Sequence, residues 1–260
     1  MKRQHLSDYF TAFRTIVTKE VLRFARIWVQ TILPPVVTTA LYFIIFGGLI
    51  GERIGEMEGF RYMDFIVPGL IMLAVITNSY SNVVSSFFGS KFQRHIEEML
   101  VSPIPNSVII LGFVFGGVAR GLSVGVAVLL VSLFFSPLSV HNIGVMLVVV
   151  LLTSILFALA GLINGVFART FDDIAIVPTF ILTPLTYLGG VFYSVSLLPE
   201  FWQGVSMLNP ILYMVDAFRY GSLGTSDFPV ALSFVIIAGF IVVLYSTALY
   251  LLNRGTGIRT

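Results

Sequence analysis

Charged residues fall in clusters along this chain, and long uncharged stretches separate them. The uncharged intervals run from 27 to 51, 65 to 90, 99 to 119, 121 to 168, 174 to 199 and 228 to 253. A membrane-crossing helix needs about 20 apolar residues, so four of these intervals hold one helix each. The interval 121–168 holds two, with Ser136-Pro137 and His141-Asn142 marking the turn between them. The interval 99–119 opens on the break Ser102-Pro103-Ile104-Pro105-Asn106, so its apolar part runs on through Arg120. The pattern predicts an all-α polytopic membrane protein with six transmembrane helices, at about 29–51, 62–89, 107–136, 143–168, 174–194 and 229–252.

The polar segments are patterned too. Leu6, Phe10, Phe13, Val17, Phe24 and Trp28 recur at helical spacing, with Arg14, Lys19, Arg23 and Arg26 at other positions. Residues 1–26 therefore read as a cytoplasmic amphipathic helix on the membrane surface, or as a basic extension of the first span. No early apolar core or small-residue cleavage site marks a cleavable signal. Near the other end, the apolar run 201–215 is too short and interrupted to cross. It should re-enter the outer leaflet or lie on it as an aromatic belt.

Composition excludes most other classes. The chain is 57% hydrophobic and 11% charged, too little charge for the surface of a soluble enzyme. A net charge of +2 gives no case for nucleic-acid binding, and three scattered histidines with no cysteine give none for a metal. None of the three lysines follows a glycine, so no nucleotide-binding loop is present. Six Lys/Arg precede the first span, whereas Arg53, Arg61 and Arg219 are the only ones expected outside. Both termini should therefore be cytoplasmic.

Within the loop after the second span, Phe92, Ile96, Met99 and Leu100 share a helical face, while Lys91, Arg94, Glu97 and Glu98 carry mixed charge. Such a short helix can seat in a groove of a cytoplasmic partner, or serve as an interfacial connector. Gly112, Gly116, Gly117, Gly121 and Gly125 form a small-residue ladder in the third span. Gly161 and Gly165 repeat that spacing in the fourth, in a position to face the third. Arg120 reads as a snorkelling residue near the cytoplasmic edge or as a substrate contact. Asp216 and Arg219 are spaced to pair, and Asp172-Asp173 to stabilise the start of the fifth helix.

The segment 91–100, the stretch Pro184-Leu185-Thr186-Tyr187-Leu188-Gly189-Gly190-Val191-Phe192-Tyr193 and the later Leu208-Asn209-Pro210-Ile211-Leu212-Tyr213 resemble the type-2 ABC transporter permeases. The likeness extends to Arg26-Ile27-Trp28-Val29-Gln30 and Phe65-Ile66-Val67-Pro68-Gly69-Leu70. One departure is Gly189, where many relatives have serine. The resemblance implies one membrane domain over 22–253 with a short cytoplasmic tail at 254–260, in a bacterial inner membrane. It implies a homodimeric ATP-driven exporter in which two separate ABC ATPase subunits bind ATP and Mg, this chain binding no cofactor itself. A cytoplasmic coupling helix would fall at 91–102, with Phe92, Arg94, Ile96, Glu97, Glu98, Met99 and Leu100 as contacts, and external re-entrant helices near Asn209, Pro210 and Tyr213 as an outer gate. Between protomers, Phe43, Tyr80, Phe87, Tyr187 and Phe192 are candidate lining for an amphipathic or lipid-like substrate. The rival reading, a secondary transporter or channel, calls for intramembrane acids that the uncharged intervals lack.

Overall fold

The computed structural model describes residues 2–137 and 140–257, with side chains from Ser7 onward. Helix α1 (Lys2–Arg26) leads through Ile27 into α2 (Trp28–Ile54), in which Phe43–Ile50 is wound as π-helix before a final α-turn. A two-residue hairpin pairs β1 (Glu56–Met57) with β2 (Phe60–Arg61). Glu58 and Gly59 between them both have positive φ, 54° and 81°, as a tight hairpin turn demands. The chain continues through α3 (Tyr62–Phe92), α4 (His95–Val101), α5 (Asn106–Ser132) and α6 (Ile143–Phe167). After α7 (Asp173–Leu188) come α8 (Glu200–Met207), α9 (Pro210–Leu223) and α10 (Val230–Arg254).

Among the described residues, five helices are long and apolar enough to cross a bilayer: α2, α3, α5, α6 and α10. The expected span at 174–194 is shorter. Its helix, α7, ends at Leu188 because Gly190 takes φ +70°, a left-handed conformation that turns the chain out of the helix. Its start is fixed by a capping box. Asp173 Oδ2 accepts from the backbone amides of Arg169 and Thr170, and the Thr170 hydroxyl oxygen accepts from the Asp173 amide. Asp173 thus does stabilise this terminus, as its position before the helix suggested.

Helix α3 is the axle of the bundle. In its apolar window 78% of residues are buried, against 11% in α2, so the other helices are organised around it. Small residues permit that packing. A Cβ on Gly117 would meet Val83 of α3 at 2.5 Å, and one on Gly125 would meet Val75 at 2.7 Å. The pair Gly161 and Gly165 faces α3 rather than the third span. A Cβ on Gly161 would lie 2.5 Å from the Tyr80 carbonyl oxygen, and one on Gly165 3.2 Å from the Phe87 ring. The fourth span closes on the most buried helix, where close approach covers most apolar surface.

One face of α1 is docked on α5. Its buried positions are Ile16, Glu20 and Phe24, four residues apart; Ile16 meets Gly112 and Glu20 meets Gly116. The stripe read from sequence overlaps this face but is displaced, because Phe10 and Trp28 stay exposed. Helix α9 is no loose belt. Residues 211–219 are all buried, and α9 packs against α3, α6 and α10.

Candidate transport cleft and coupling corner

The sharpest corner lies between α3 and α4. Arg94 takes φ 63° there, its backbone amide bonding the Lys91 carbonyl at 3.0 Å. The turn throws α4 out as a separate short helix. Within it Ile96 is completely buried, and Met99 and Leu100 pack against the same inner cluster. The apolar stripe therefore anchors α4 to its own bundle. The outward face carries Phe92, Arg94, His95, Glu97, Glu98 and Val101, with Phe92 and Val101 the exposed apolar positions at its two ends.

The corner is tied to a neighbour. Lys91 Nζ donates to the carbonyl oxygens of Val166 and Ala168, each at 2.6 Å, filling acceptors that the end of α6 leaves free. Phe171, in the loop after α6, stacks edge-on against Phe88 and tilted against Phe92, with centroids 5.0 and 5.3 Å apart. The loop that leads into α7 is thus packed on the last turn of α3.

A cleft of about 390 Å³ opens between α2, α3 and α7. Thr38, Thr39, Thr77, Asn78, Ser81, Thr183 and Thr186 give it hydroxyls and an amide, while Pro34, Pro35 and Pro178 stiffen its walls. Pro34 and Pro35 withhold two helix donors and free the carbonyls one turn earlier. One end is aromatic. Phe192 stacks on Tyr187 at 5.7 Å and meets Tyr42 edge-on at 5.8 Å. Among the described residues, no Asp, Glu, Lys or Arg lines the cleft.

Of the candidate lining residues, the structure brings Tyr187 and Phe192 together here. Phe43, Tyr80 and Phe87 lie elsewhere, each at most 1% exposed inside the single chain. Phe43 packs on Phe135 and Phe87 on Phe113, while Tyr80 sits where Gly161 lets α6 approach. Sequence marks an aromatic residue in a span but not which way its helix is turned.

Behind the cleft floor lies a polar network whose charges come from α1 and from Arg120, outside the uncharged intervals. The Arg23 guanidinium donates to the Asn82 carbonyl and side-chain oxygens at 2.9 and 2.8 Å, and its Nε lies 3.4 Å from Glu20 Oε2. The Ser86 hydroxyl donates to Glu20 Oε1 at 2.7 Å. Arg120 donates to Asn78 Oδ1 at 3.2 Å. It is the fifteenth residue of a 27-residue helix, about 21 Å from the start at 1.5 Å per residue. Its partner Asn78 is a buried residue of α3, inside the bundle. Glu20 was legible as an acid spaced four residues from both Ile16 and Phe24, within an apolar stripe.

At the opposite end, Asn209 caps α9 by accepting from the Ile211 amide and ties it to α7 by donating to the Leu185 carbonyl at 2.6 Å. Pro210 occupies the first helical position, where its missing N–H costs nothing. Tyr213 donates to the Met207 carbonyl at 2.8 Å, holding α8 against α9. Asp216 and Arg219 are both buried but form no ion pair among the described residues. Asp216 accepts from the amides of Asp227 and Phe228; Arg219 donates to the Gly190 carbonyl at 2.7 Å and lies 3.9 Å over the Phe65 ring. They share a face of the helix and feel each other's charge, but each spends its hydrogen bonds on a different backbone segment. Burial pushes the Asp227 carboxyl in the following loop above its ordinary range, and the charge of Glu58 adds to the effect.

Residues 11–223 match the family model described as ABC-2 type transporter. The chain belongs to the ABC-2 type transporter family. It is 62% identical over 252 residues, 97% of this chain and 98% of the relative, to the inner membrane transport permease YadH of Escherichia coli strain K12. It is 27% identical to nodulation protein J of Sinorhizobium fredii strain NBRC 101917 / NGR234, covering 83% of this chain and 82% of that one. Nodulation protein J of Rhizobium leguminosarum bv. viciae is 23% identical, covering 91% and 92%. The chain is a multi-pass membrane permease of the ABC transporter class, and by family a transport subunit rather than an enzyme.

Proposed function

We propose that this chain is the permease half of an ATP-driven exporter in the inner (cytoplasmic) membrane, with both termini cytoplasmic. Two copies would line the pathway, and two copies of a separate ABC ATPase would bind ATP and Mg. The cargo is an amphipathic or lipid-like molecule taken from the cytoplasm or inner leaflet. In this reading α7 completes six crossings, and the α8–α9 hairpin enters the outer leaflet as the gate, with Asn209, Pro210 and Tyr213 holding its shape.

The observation that carries the proposal is the α3–α4 corner. A helix thrown outward by a left-handed Arg94, anchored inward by Ile96 and tied by Lys91 to the end of α6 suits a lever that a partner can push. Phe92, Arg94, Glu97, Glu98 and Val101 offer the contact, while Ile96, Met99 and Leu100 carry force into the bundle. ATP binding stabilises the closed ATPase dimer, and that difference between states is what the lever transmits. Self-association is favoured by the apolar positions that flank the open cleft, Leu33, Val37 and Leu41 on α2 and Phe180 and Ile181 on α7, all exposed in one chain.

Co-purification tests the proposal. The full chain should bring down an ATPase whose vanadate-sensitive turnover changes when the permease is present. Transport by the lone chain in liposomes under an ion gradient would instead select the secondary-transporter reading.

A further inference from the structure

We propose that the cleft between α2, α3 and α7 selects an amphiphile with an anionic, phosphate-like head, which its floor holds through Asn78 and Ser81 with Arg120 and Arg23 behind them. The inference deepens the transport reading above and rests on it for the cleft being a cargo site.

The argument begins with charge. Among the described residues no ionised side chain lines the cleft itself, so its sign is set by the groups immediately behind. Those are Arg120, bonded to Asn78 of the floor, and Arg23, bonded to Asn82 one turn further along the same face of α3. Arg23 also acts electrostatically on Arg120. Glu20 is the acid of this network, salt-bridged to Arg23 and accepting from Ser86. Two guanidiniums against one carboxylate leave one positive charge uncompensated. In a low-dielectric wall such a charge focuses its field into the adjoining cleft. A cationic head would enter against that field with no carboxylate to meet it.

Donors on the floor agree. Asn78 Oδ1 is taken by Arg120, and its Nδ2 spends one proton on the Ala74 carbonyl, leaving the second. Ser81 has no hydrogen-bond partner for its hydroxyl among the described residues, and it lines the cleft. Two N–H or O–H donors backed by a guanidinium are what an anionic oxygen requires. Buried Nε atoms of Arg23 and Arg120 and Nδ2 of Asn82 are without hydrogen-bond partners, against one such acceptor, Glu20 Oε2, so unspent donors outnumber unspent acceptors in the network. Farther up, the rings of Tyr42, Tyr187 and Phe192 give an apolar tail its surface.

Equilibrium binding to the full chain in phosphatidylcholine nanodiscs tests this, using dodecyl phosphate, dodecyltrimethylammonium and inorganic phosphate as probes. Dodecyl phosphate should bind saturably and dodecyltrimethylammonium should not. Arg120→Gln should weaken dodecyl phosphate about tenfold, Arg120→Lys less, and Glu20→Gln should tighten it by removing the opposing charge. Ser81→Ala, a small change on the cleft wall, should weaken binding while leaving the elution profile of the protein unchanged. Equal binding of both amphiphiles, preference for the cation, or no effect of Arg120→Gln and Ser81→Ala in folded protein would overturn the proposal. Competition by inorganic phosphate at concentrations similar to dodecyl phosphate would overturn the amphiphile as occupant and assign the floor to a free anion. These measurements need no ATPase, so failure to find a partner would sink the export reading and leave the binding result standing.

Discussion

Lys91 holds the carbonyl oxygen of Val166 at 2.6 Å, joining the last turn of α3 to the last turn of α6. Replacing Lys91 with Met removes this bond and the one to Ala168, freeing the end of α6. The loss should be about 1–2 kcal/mol of stability, measured by thermal unfolding in detergent. In a complex reconstituted with its ATPase, hydrolysis should persist while cargo movement falls, and Lys91→Arg should restore part of it.

Arg94 has a conformational duty separable from its charge. Arg94→Gly should leave stability close to the parent, since glycine adopts φ 63° without strain. Arg94→Val should cost about 1–2 kcal/mol. Thermal unfolding of the two variants side by side is the measurement, and similar losses in both would place the importance of Arg94 in its guanidinium.

Glu97 and Glu98 are exposed and make no ion pair among the described residues. The double change Glu97→Lys, Glu98→Lys should shift folding stability by no more than about 0.5 kcal/mol. ATPase association, followed by co-elution, should fall by tenfold or more. Wild-type association by the double variant would remove this face from the interface.

Gly161 and Gly48 should respond oppositely to a side chain. Gly161→Leu drives atoms into the Tyr80 backbone and should prevent recovery of folded protein. Gly48 has nothing within 4 Å of where a Cβ would be, so Gly48→Ala should be neutral or stabilise by up to about 1 kcal/mol. Size-exclusion profiles after heating distinguish the two.

Five of the six expected spans were legible because lipid-crossing helices must be apolar along their whole length, and charges such as Arg26, Glu52, Lys91 and Arg254 interrupt that pattern. What the pattern lacks is rotation. Ile96 belongs to an amphipathic stripe whichever side it faces, so the sequence could not say that it anchors α4 inward. Tyr80 and Phe87 are aromatics in a span, which suits a lining, but small glycines on the facing helix, Gly161 and Gly165, decide that they are enclosed. Asp216 and Arg219 have pairing distance in sequence; each instead finds backbone partners that only the tertiary fold supplies, in the 227–228 loop and at Gly190. Glu20 lies outside the uncharged intervals, among many charges, and only its four-residue spacing from Ile16 and Phe24 marks it as a buried acid.

Helix α2 forms one wall of the cleft while burying only 11% of its apolar window, and α3, opposite, buries 78%. The two sides therefore differ in how firmly a single polypeptide can hold them. Val29, Leu33, Val37 and Leu41 need company that the chain does not provide. Acyl chains or another copy must complete that wall, so the aperture is set partly by its surroundings. Bilayer thickness and lipid order become adjustable controls on how wide it stands.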